Sequence, residues 1–126
     1  MITTKLISVA VKAGKESRAS EWMDELLARQ AECVNSLDRE AMHYESIFRF
    51  RENGRLWLSW FSVQGSAGTS VESSLIAIDK IHVEFWNECV DRDVPRKIME
   101  HVVSFVPASV HDEIITRNNR LTSNAP

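Results

Sequence analysis

Asp79 and His82 are the two residues whose types and spacing are best suited to acid–base chemistry. They are three positions apart, which places both side chains on one face of a helix, near the middle of its apolar arc. A histidine that a carboxylate orients titrates near neutral pH and can act as a general base. The alternative is a buried histidine that ties the helix to a sheet through hydrogen bonds. We favour that alternative, because buried polar groups normally find partners whether or not they catalyse.

A second group of polar residues would surround His82 if this helix packs on a sheet. Tyr44, Ser46 and Ser59 are the nearest strand residues in that arrangement, and Gln30 lies in the apolar arc of another predicted helix. Together these side chains would line a small polar pocket inside the protomer.

Glu45, Arg49 and Trp60 form a third group, which the strand pattern places on the opposite face of the sheet. Two charged groups beside an aromatic wall are suited to holding a small organic molecule in a barrel interior. The alternative is an ordinary interface in which the charges pair, and we favour it slightly. Glu40 precedes this strand and would cap or brace the turn.

Metal and cofactor chemistry find little support in the sequence. Asp79 and His82 are spaced to share an ion, but a stable site needs three or four ligands and nothing else has ligand spacing. His82-x-Glu84 superficially resembles a zinc deaminase signature, yet the required Pro-Cys-x-x-Cys is absent. There is no nucleophile-elbow, phosphate-loop or dinucleotide motif. We therefore expect neither a metal nor a cofactor.

Length and composition indicate one globular domain. The chain has 126 residues, of which 44% are hydrophobic, and a formal charge of -3. We expect a single domain over residues 1–120 and a frayed tail over 121–126. Lysine and arginine are scattered, so no basic stripe predicts nucleic-acid binding.

The sequence also bears on location. The longest aliphatic run, residues 75–78, is far below the roughly 20 residues that cross a bilayer, so we expect no membrane span. The N-terminus has no leader pattern, and the default expectation is a cytoplasmic protein. Cys33 and Cys89 lie on apolar helix faces, where we expect reduced structural thiols.

The hydrophobic pattern predicts the elements that must position these residues. A strand over 2–12 precedes an amphipathic helix over 17–37, and strands over 43–51 and 55–63 flank Asn53-Gly54, a pair suited to a type I′ turn. Thr69 and Glu72 form a capping box at the start of a second helix, which runs through about Asp91. A strand over 97–106 follows, and Ser109 and Asp112 can cap a short terminal helix. The order β-α-β-β-α-β predicts an α+β, ferredoxin-like fold with a four-stranded antiparallel sheet and two helices on one face.

A two-residue turn fixes which hairpin side chains share a face. Phe48, Phe50, Trp57 and Phe61 lie on one face with Tyr44, Ser46, Ser59 and Val63, and we expect the helices to cover this apolar surface. The other face carries Glu45, Ile47, Arg49, Arg51, Leu56, Leu58, Trp60 and Ser62. Its exposed apolar residues predict a homodimer through the open sheet face.

Three local patterns resemble a known family: residues 12–16 (Lys-Ala-Gly-Lys-Glu), residues 38–42 (Asp-Arg-Glu-Ala-Met) with residues 45–48 (Glu-Ser-Ile-Phe), and Asp79-x-x-His82 with Phe85, Trp86 and Cys89. They are similar to short uncharacterised bacterial proteins grouped with the dimeric α/β-barrel proteins, over most of residues 5–92. The resemblance implies a ferredoxin-like protomer whose sheet pairs with that of a second copy, but it implies no reaction. The chain departs from the family's pattern at Ala41, where a glycine is usual.

The sequence therefore leads to a homodimeric, ferredoxin-like protein of unknown function that binds a small organic ligand. One alternative is a cofactor-independent monooxygenase-like or isomerase-like enzyme with His82 as its base and Asp79 orienting it. Another is a structural or regulatory dimerisation module. Whether the protein is an enzyme is open at this level.

Overall fold

The computed structural model describes residues 2–66 and 76–123 as an α+β fold. Its strands are β1 (Thr3–Ala10), β2 (Met42–Glu52), β3 (Arg55–Gln64) and β4 (Lys97–Ile98). Its helices are α1 (Glu16–Ala28), α2 (Gln30–Ser36), α3 (Ala77–Cys89) and α4 (Ala108–Ser123). The strands form one antiparallel sheet in the order β2-β3-β1-β4. This order, with α1 and α3 crossing the sheet, is compatible with the predicted ferredoxin-like fold.

The β2–β3 hairpin has the predicted turn and register. Asn53 and Gly54 adopt φ angles of 53° and 75°, the left-handed conformation that a type I′ turn requires. Arg49 lies opposite Leu58, Ile47 opposite Trp60 and Phe48 opposite Ser59, as expected. A bulge near His43 ends the regular pairing at the start of β2.

The helices cover the face of the sheet opposite to the one expected, so the predicted face assignment is wrong. The core joins Val9 and Leu58 of the sheet to Trp22 of α1 and Cys89 of α3, and Trp60 packs against this cluster. The covered face is therefore the mixed one. Neither α1 nor α3 covers the aromatic face, which we call the open face. Tyr44 and Phe48 are 55% and 59% exposed on it, whereas Trp57, which stacks on Phe50, is only 6% exposed.

The first predicted helix is divided into two. Arg29 has φ -108° and ψ 31°, which interrupts the helix between α1 and α2. Ala41 follows in a left-handed conformation at φ 51°, which a glycine would adopt without steric cost.

The other helix and strand boundaries also differ from those predicted. The capping box at Thr69 and Glu72 lies outside the described residues. The last strand is only two residues long. Residues 99–107, which we call the arm, expose all of their side chains, and at their start the Met99 N–H still donates to the Leu6 carbonyl oxygen of β1 at 3.0 Å. Helix α4 is longer than expected and continues through Ser123, three residues into the segment for which fraying was predicted.

Arg117 and Asn118 attach α4 to the start of β2. Arg117 donates to the Met42 carbonyl oxygen at 2.8 Å and to His43 Nδ1 at 2.6 Å, and it pairs with Asp38. Asn118 Oδ1 lies 3.3 Å from His43 Nε2. Across residues 2–66 and 76–123, no helix combines the length and the apolar character needed to cross a membrane.

Candidate functional site

A cavity of about 670 Å³ lies between the helices and the β2–β3 half of the sheet, and we call it the central cavity. Its apolar wall consists mainly of Met23, Leu26, Leu27, Val34, Leu37, Ile47, Leu58 and Ile78. Its polar wall includes Gln30, Cys33, Glu40, Glu45, Arg49, Asp79 and His82. The volume falls within the range of pockets that hold small organic molecules. Apolar walls with a few polar groups are also typical of such pockets.

His82 is held in the wall by tryptophan side chains. Trp22 donates its indole N–H to His82 Nδ1 at 3.1 Å, and the rings of Trp22 and Trp60 lie 5.3 and 6.2 Å from the imidazole. An indole nitrogen only donates, so Nδ1 must be the unprotonated nitrogen. Burial lowers the pKa of His82 despite the nearby charge of Asp79. At neutral pH the ring is therefore neutral, with its proton on Nε2.

Asp79 has a different partner from the one predicted. Its carboxylate pairs with the Arg39 guanidinium, which reaches it from the loop before β2. Asp79 is 5% exposed, so the pair lies largely away from water. Arg39 Nε is buried without a hydrogen-bond partner among the described residues. Asp79 thus fixes the loop to α3, and the hydrogen bond that orients His82 comes from Trp22.

Glu40 and Glu45 also line the cavity, and neither carboxyl group forms an ion pair within the part of the chain that the structure describes. Burial and the charges of Glu45 and Asp79 raise the pKa of Glu40 to about 7, against an opposing effect of Arg39. Burial also raises the pKa of Glu45. Glu45 keeps accessible surface because it lines the open cavity, while the surrounding protein still removes part of its hydration. The cavity therefore contains a carboxyl group that exchanges its proton near neutral pH.

Arg49, Gln30 and Cys33 complete the polar wall. Arg49 contributes a positive charge to the wall, and its guanidinium forms no ion pair within residues 2–66 and 76–123. Gln30 stands at the start of α2, beside the break at Arg29. Burial raises the pKa of the Cys33 thiol, so this residue is a protonated wall group and not a thiolate nucleophile.

The structure combines residues that the sequence assigned to two separate sites. His82, Asp79 and Gln30 share the central cavity with Glu45 and Arg49, because the helices cover the face on which those two residues lie. Trp60 packs behind the cavity, with its ring 5.0 Å from that of Trp86.

Tyr44 and Ser46 lie on the open face instead, as does Ser59, which hydrogen-bonds to Ser8 at 2.6 Å. Their predicted position beside His82 was therefore wrong. The reason is the reversed choice of the face that the helices cover.

Sequence reasoning missed three residues of the site. Glu40 was interpreted as a turn brace, while Arg39 and Trp22 were given no role. The Arg39-Glu40 pair was visible as part of a family-like pattern, but the contact between Arg39 and Asp79 spans 40 positions of sequence. The Trp22 hydrogen bond joins α1 to α3 across 60 positions of sequence, and no local pattern reports such a contact.

Fold and site together define a ferredoxin-like α+β protein with a polar-lined cavity between its helices and its sheet. The chain belongs to a family of unknown function, DUF6176, whose sequence profile matches residues 2–112. No curated protein and no solved structure shows significant similarity to it. The family assignment confirms the expectation of an uncharacterised family and supplies no reaction, so any function must be argued from the site.

Proposed function

We propose that the protein binds a small organic molecule in the central cavity. The observation that carries this proposal is the convergence of Glu40, Glu45, Arg49 and His82 on one cavity with apolar walls. A filled core would not keep several polar side chains around about 670 Å³ of space. The suitable ligand has an apolar body of fragment size and a polar end.

The polar groups indicate how such a ligand would be oriented. His82 Nε2–H is a fixed donor, which suits a carbonyl or another acceptor oxygen. Glu40 and Glu45 accept hydrogen bonds when ionised, and they suit hydroxyl or N–H groups. We therefore expect neutral cyclic or aromatic compounds that carry both a carbonyl and a hydrogen-bond donor.

Binding can be tested by amide-resolved NMR with a set of neutral phenols, cyclic ketones and hydroxyketones. Shift changes should concentrate on α1, α2, β2 and α3 around the central cavity. Leu27→Trp should weaken binding at least tenfold, because Leu27 lines the cavity and is 70% exposed, so the larger ring fits without disturbing the core.

Ala28→Trp is the matched control, since this exposed neighbour on the same helix does not line the cavity. Equal affinities in the two variants, or shifts confined to the open sheet face, would contradict the proposal.

We also propose that two copies associate through the aromatic open face and the arm. This is not the face predicted for the dimer, because α1 and α3 pack on that one. The open face presents Tyr44 and Phe48, while Val102 and Phe105 of the arm are 86% and 90% exposed. Such side chains are seldom left in water together. Lys97, a charged residue on this face, already pairs with Glu52. A largely uncharged, apolar surface can match a second copy of itself about a two-fold axis.

A cytoplasmic setting is part of the same proposal. Cys33 and Cys89 are both unpaired, and Cys89 is fully buried in the core. Unpaired thiols are typical of proteins that work in reducing compartments.

A further inference from the structure

The hydrogen bond from Trp22 changes the role that His82 can play. A general base needs a free lone pair, but the indole N–H occupies the lone pair of Nδ1. The remaining nitrogen, Nε2, carries the proton of the neutral ring and has no partner among the described residues. His82 therefore presents a donor to a ligand and cannot readily accept a proton from it.

Glu40 has the properties of the missing base. It lines the same cavity, and its carboxyl group forms no hydrogen bond or ion pair within the described part of the chain. Its pKa of about 7 means that both protonation states are populated at neutral pH. A partly desolvated carboxylate is also a stronger base than one in water.

The other acidic groups of the wall are less suitable, and among them Asp24 on α1 is exposed to solvent. Asp79 is occupied by Arg39, and the thiol of Cys33 stays protonated. Glu45 has its own raised pKa and acts on Glu40 mainly through its charge. The charged and titratable groups around Glu40 are Asp24 on α1, Cys33 on α2, Arg39 in the loop, Glu45 and Arg49 on β2, and Asp79 and His82 on α3.

We propose that the central cavity is a proton-transfer site in which Glu40 is the base and His82 Nε2–H binds the oxygen that gains charge. This inference rests on the proposed ligand binding and extends it to a class of substrate, carbonyl compounds with an acidic α-hydrogen. Pairing a carboxylate base with a neutral histidine donor is an established way to stabilise an enolate.

The reaction balances without any cofactor. The bond between the α-carbon and its hydrogen breaks, and the proton moves to the Glu40 carboxylate. The electron pair forms a carbon–carbon double bond, while the carbonyl π electrons move to the oxygen that faces His82. Return of the proton to the same or another carbon gives hydrogen exchange or isomerisation, with no oxidant consumed.

The proposal can be tested before a substrate is known, with 5-nitrobenzisoxazole as a probe. A base removes the hydrogen from its ring carbon, the electron pair forms a nitrile, and the nitrogen–oxygen bond breaks to release a coloured nitrophenolate. The wild-type protein should accelerate this elimination saturably, with a pH midpoint near the Glu40 pKa of about 7.

Three variants separate the roles of the wall residues. Glu40→Gln should reduce kcat roughly a hundredfold, which is typical for the loss of a general base. Glu45→Gln should move the pH midpoint downward, because it removes a charge that raises the pKa of Glu40. His82→Phe should lower kcat with little change in the pH midpoint.

Binding and catalysis can fail separately in this experiment. Cavity NMR shifts that persist in Glu40→Gln, together with loss of turnover, would support proton transfer at a working binding site. Equal rates in wild type and Glu40→Gln, or no saturable acceleration by the wild type, would overturn the proton-transfer proposal. Ligand-induced shifts around the cavity would leave the binding proposal standing in either case.

Discussion

Trp22 and His82 are joined by a hydrogen bond of 3.1 Å from the indole N–H to Nδ1, across the interface of α1 and α3. Both side chains belong to a group of tilted and edge-on aromatic rings that includes Trp60 and Trp86. The contact fixes the orientation of the imidazole and also its tautomer. His82, which the sequence suggested as a general base, is therefore a hydrogen-bond donor through Nε2–H.

Trp22→Phe should release this constraint while keeping an aromatic ring in the core. We expect the pKa of His82 to rise toward its ordinary value, because protonating Nδ1 no longer breaks a hydrogen bond. Stability should fall by about 1 kcal/mol from the lost hydrogen bond, plus a packing cost for the smaller ring. Imidazole ¹⁵N NMR across pH 4 to 8 reports both the tautomer and the titration.

Trp60→Phe is the control for the Trp22 substitution. The Trp60 ring lies 6.2 Å from the imidazole, and replacing it leaves the hydrogen bond to Nδ1 intact. A tautomer and pKa that respond equally to both substitutions would show that ring packing, and not the indole N–H, sets the state of His82.

Glu40→Gln should stabilise the protein at alkaline pH. The folded-state pKa of Glu40, about 7, lies above the ordinary 4.5, so the folded protein holds the proton more tightly than the unfolded chain. The contribution of Glu40 to stability is therefore present below pH 4.5 and is lost as the pH rises through 7. At pH 8 we expect the variant to gain on the order of 1–3 kcal/mol, discounted for partial exposure.

Urea unfolding at pH 4 and at pH 8 measures this difference between wild type and Glu40→Gln. Comparing the two proteins at each pH cancels the effects of other titrating groups, including His43 and His82. A gain that is the same at both pH values would mean that the pKa of Glu40 is not raised by folding.

Arg39→Met should destabilise the fold by about 2–4 kcal/mol, because it leaves the buried Asp79 carboxylate without its cation. The double variant Arg39→Met with Asp79→Leu should recover most of this loss, since it removes both charges. Urea unfolding of the two single variants and the double variant gives the coupling energy. If the loss of stability in the double variant equals the sum of the two single losses, the ion pair has no coupling energy.

Phe105→Asp should prevent self-association through the open face and the arm. The side chain is 90% exposed in the protomer, so the substitution costs little in an isolated chain but would place a charge in the proposed interface. Sedimentation velocity should report a dimer for the wild type and a monomer for the variant at micromolar concentration. Ala31→Asp, an exposed substitution on α2, is the control; a wild-type monomer would contradict the dimer.

Local sequence signals accounted for the hairpin and for most elements of the fold. Asn53-Gly54 can adopt the two positive φ angles of a type I′ turn, and this turn sets the cross-strand pairs of β2 and β3 from Tyr44 to Glu52. Alternation with a period of two then determines which residues share a face. The order of elements, taken with this hairpin, is enough to predict a ferredoxin-like fold.

The choice of face was decided only by tertiary structure. Both faces of the hairpin carry large apolar residues, and Glu45 and Arg49 made the helix-covered face resemble the solvated one. Alternation shows which residues share a face, but it does not show which face the helices cover. That choice depends on the path of each helix over the sheet. Polar residues lie under the helices because they line a cavity there.

The sequence by itself determined the element order, the hairpin register and the presence of polar residues at apolar positions, since these depend on neighbours along the chain. Only tertiary structure decided that Glu40, Glu45, Arg49 and His82 meet in one cavity, and that Trp22 sets the tautomer of His82. The physical reason is distance along the chain. Charge interactions, desolvation and side-chain hydrogen bonds act through space, so the properties of Glu40 and His82 depend on residues that local patterns do not connect.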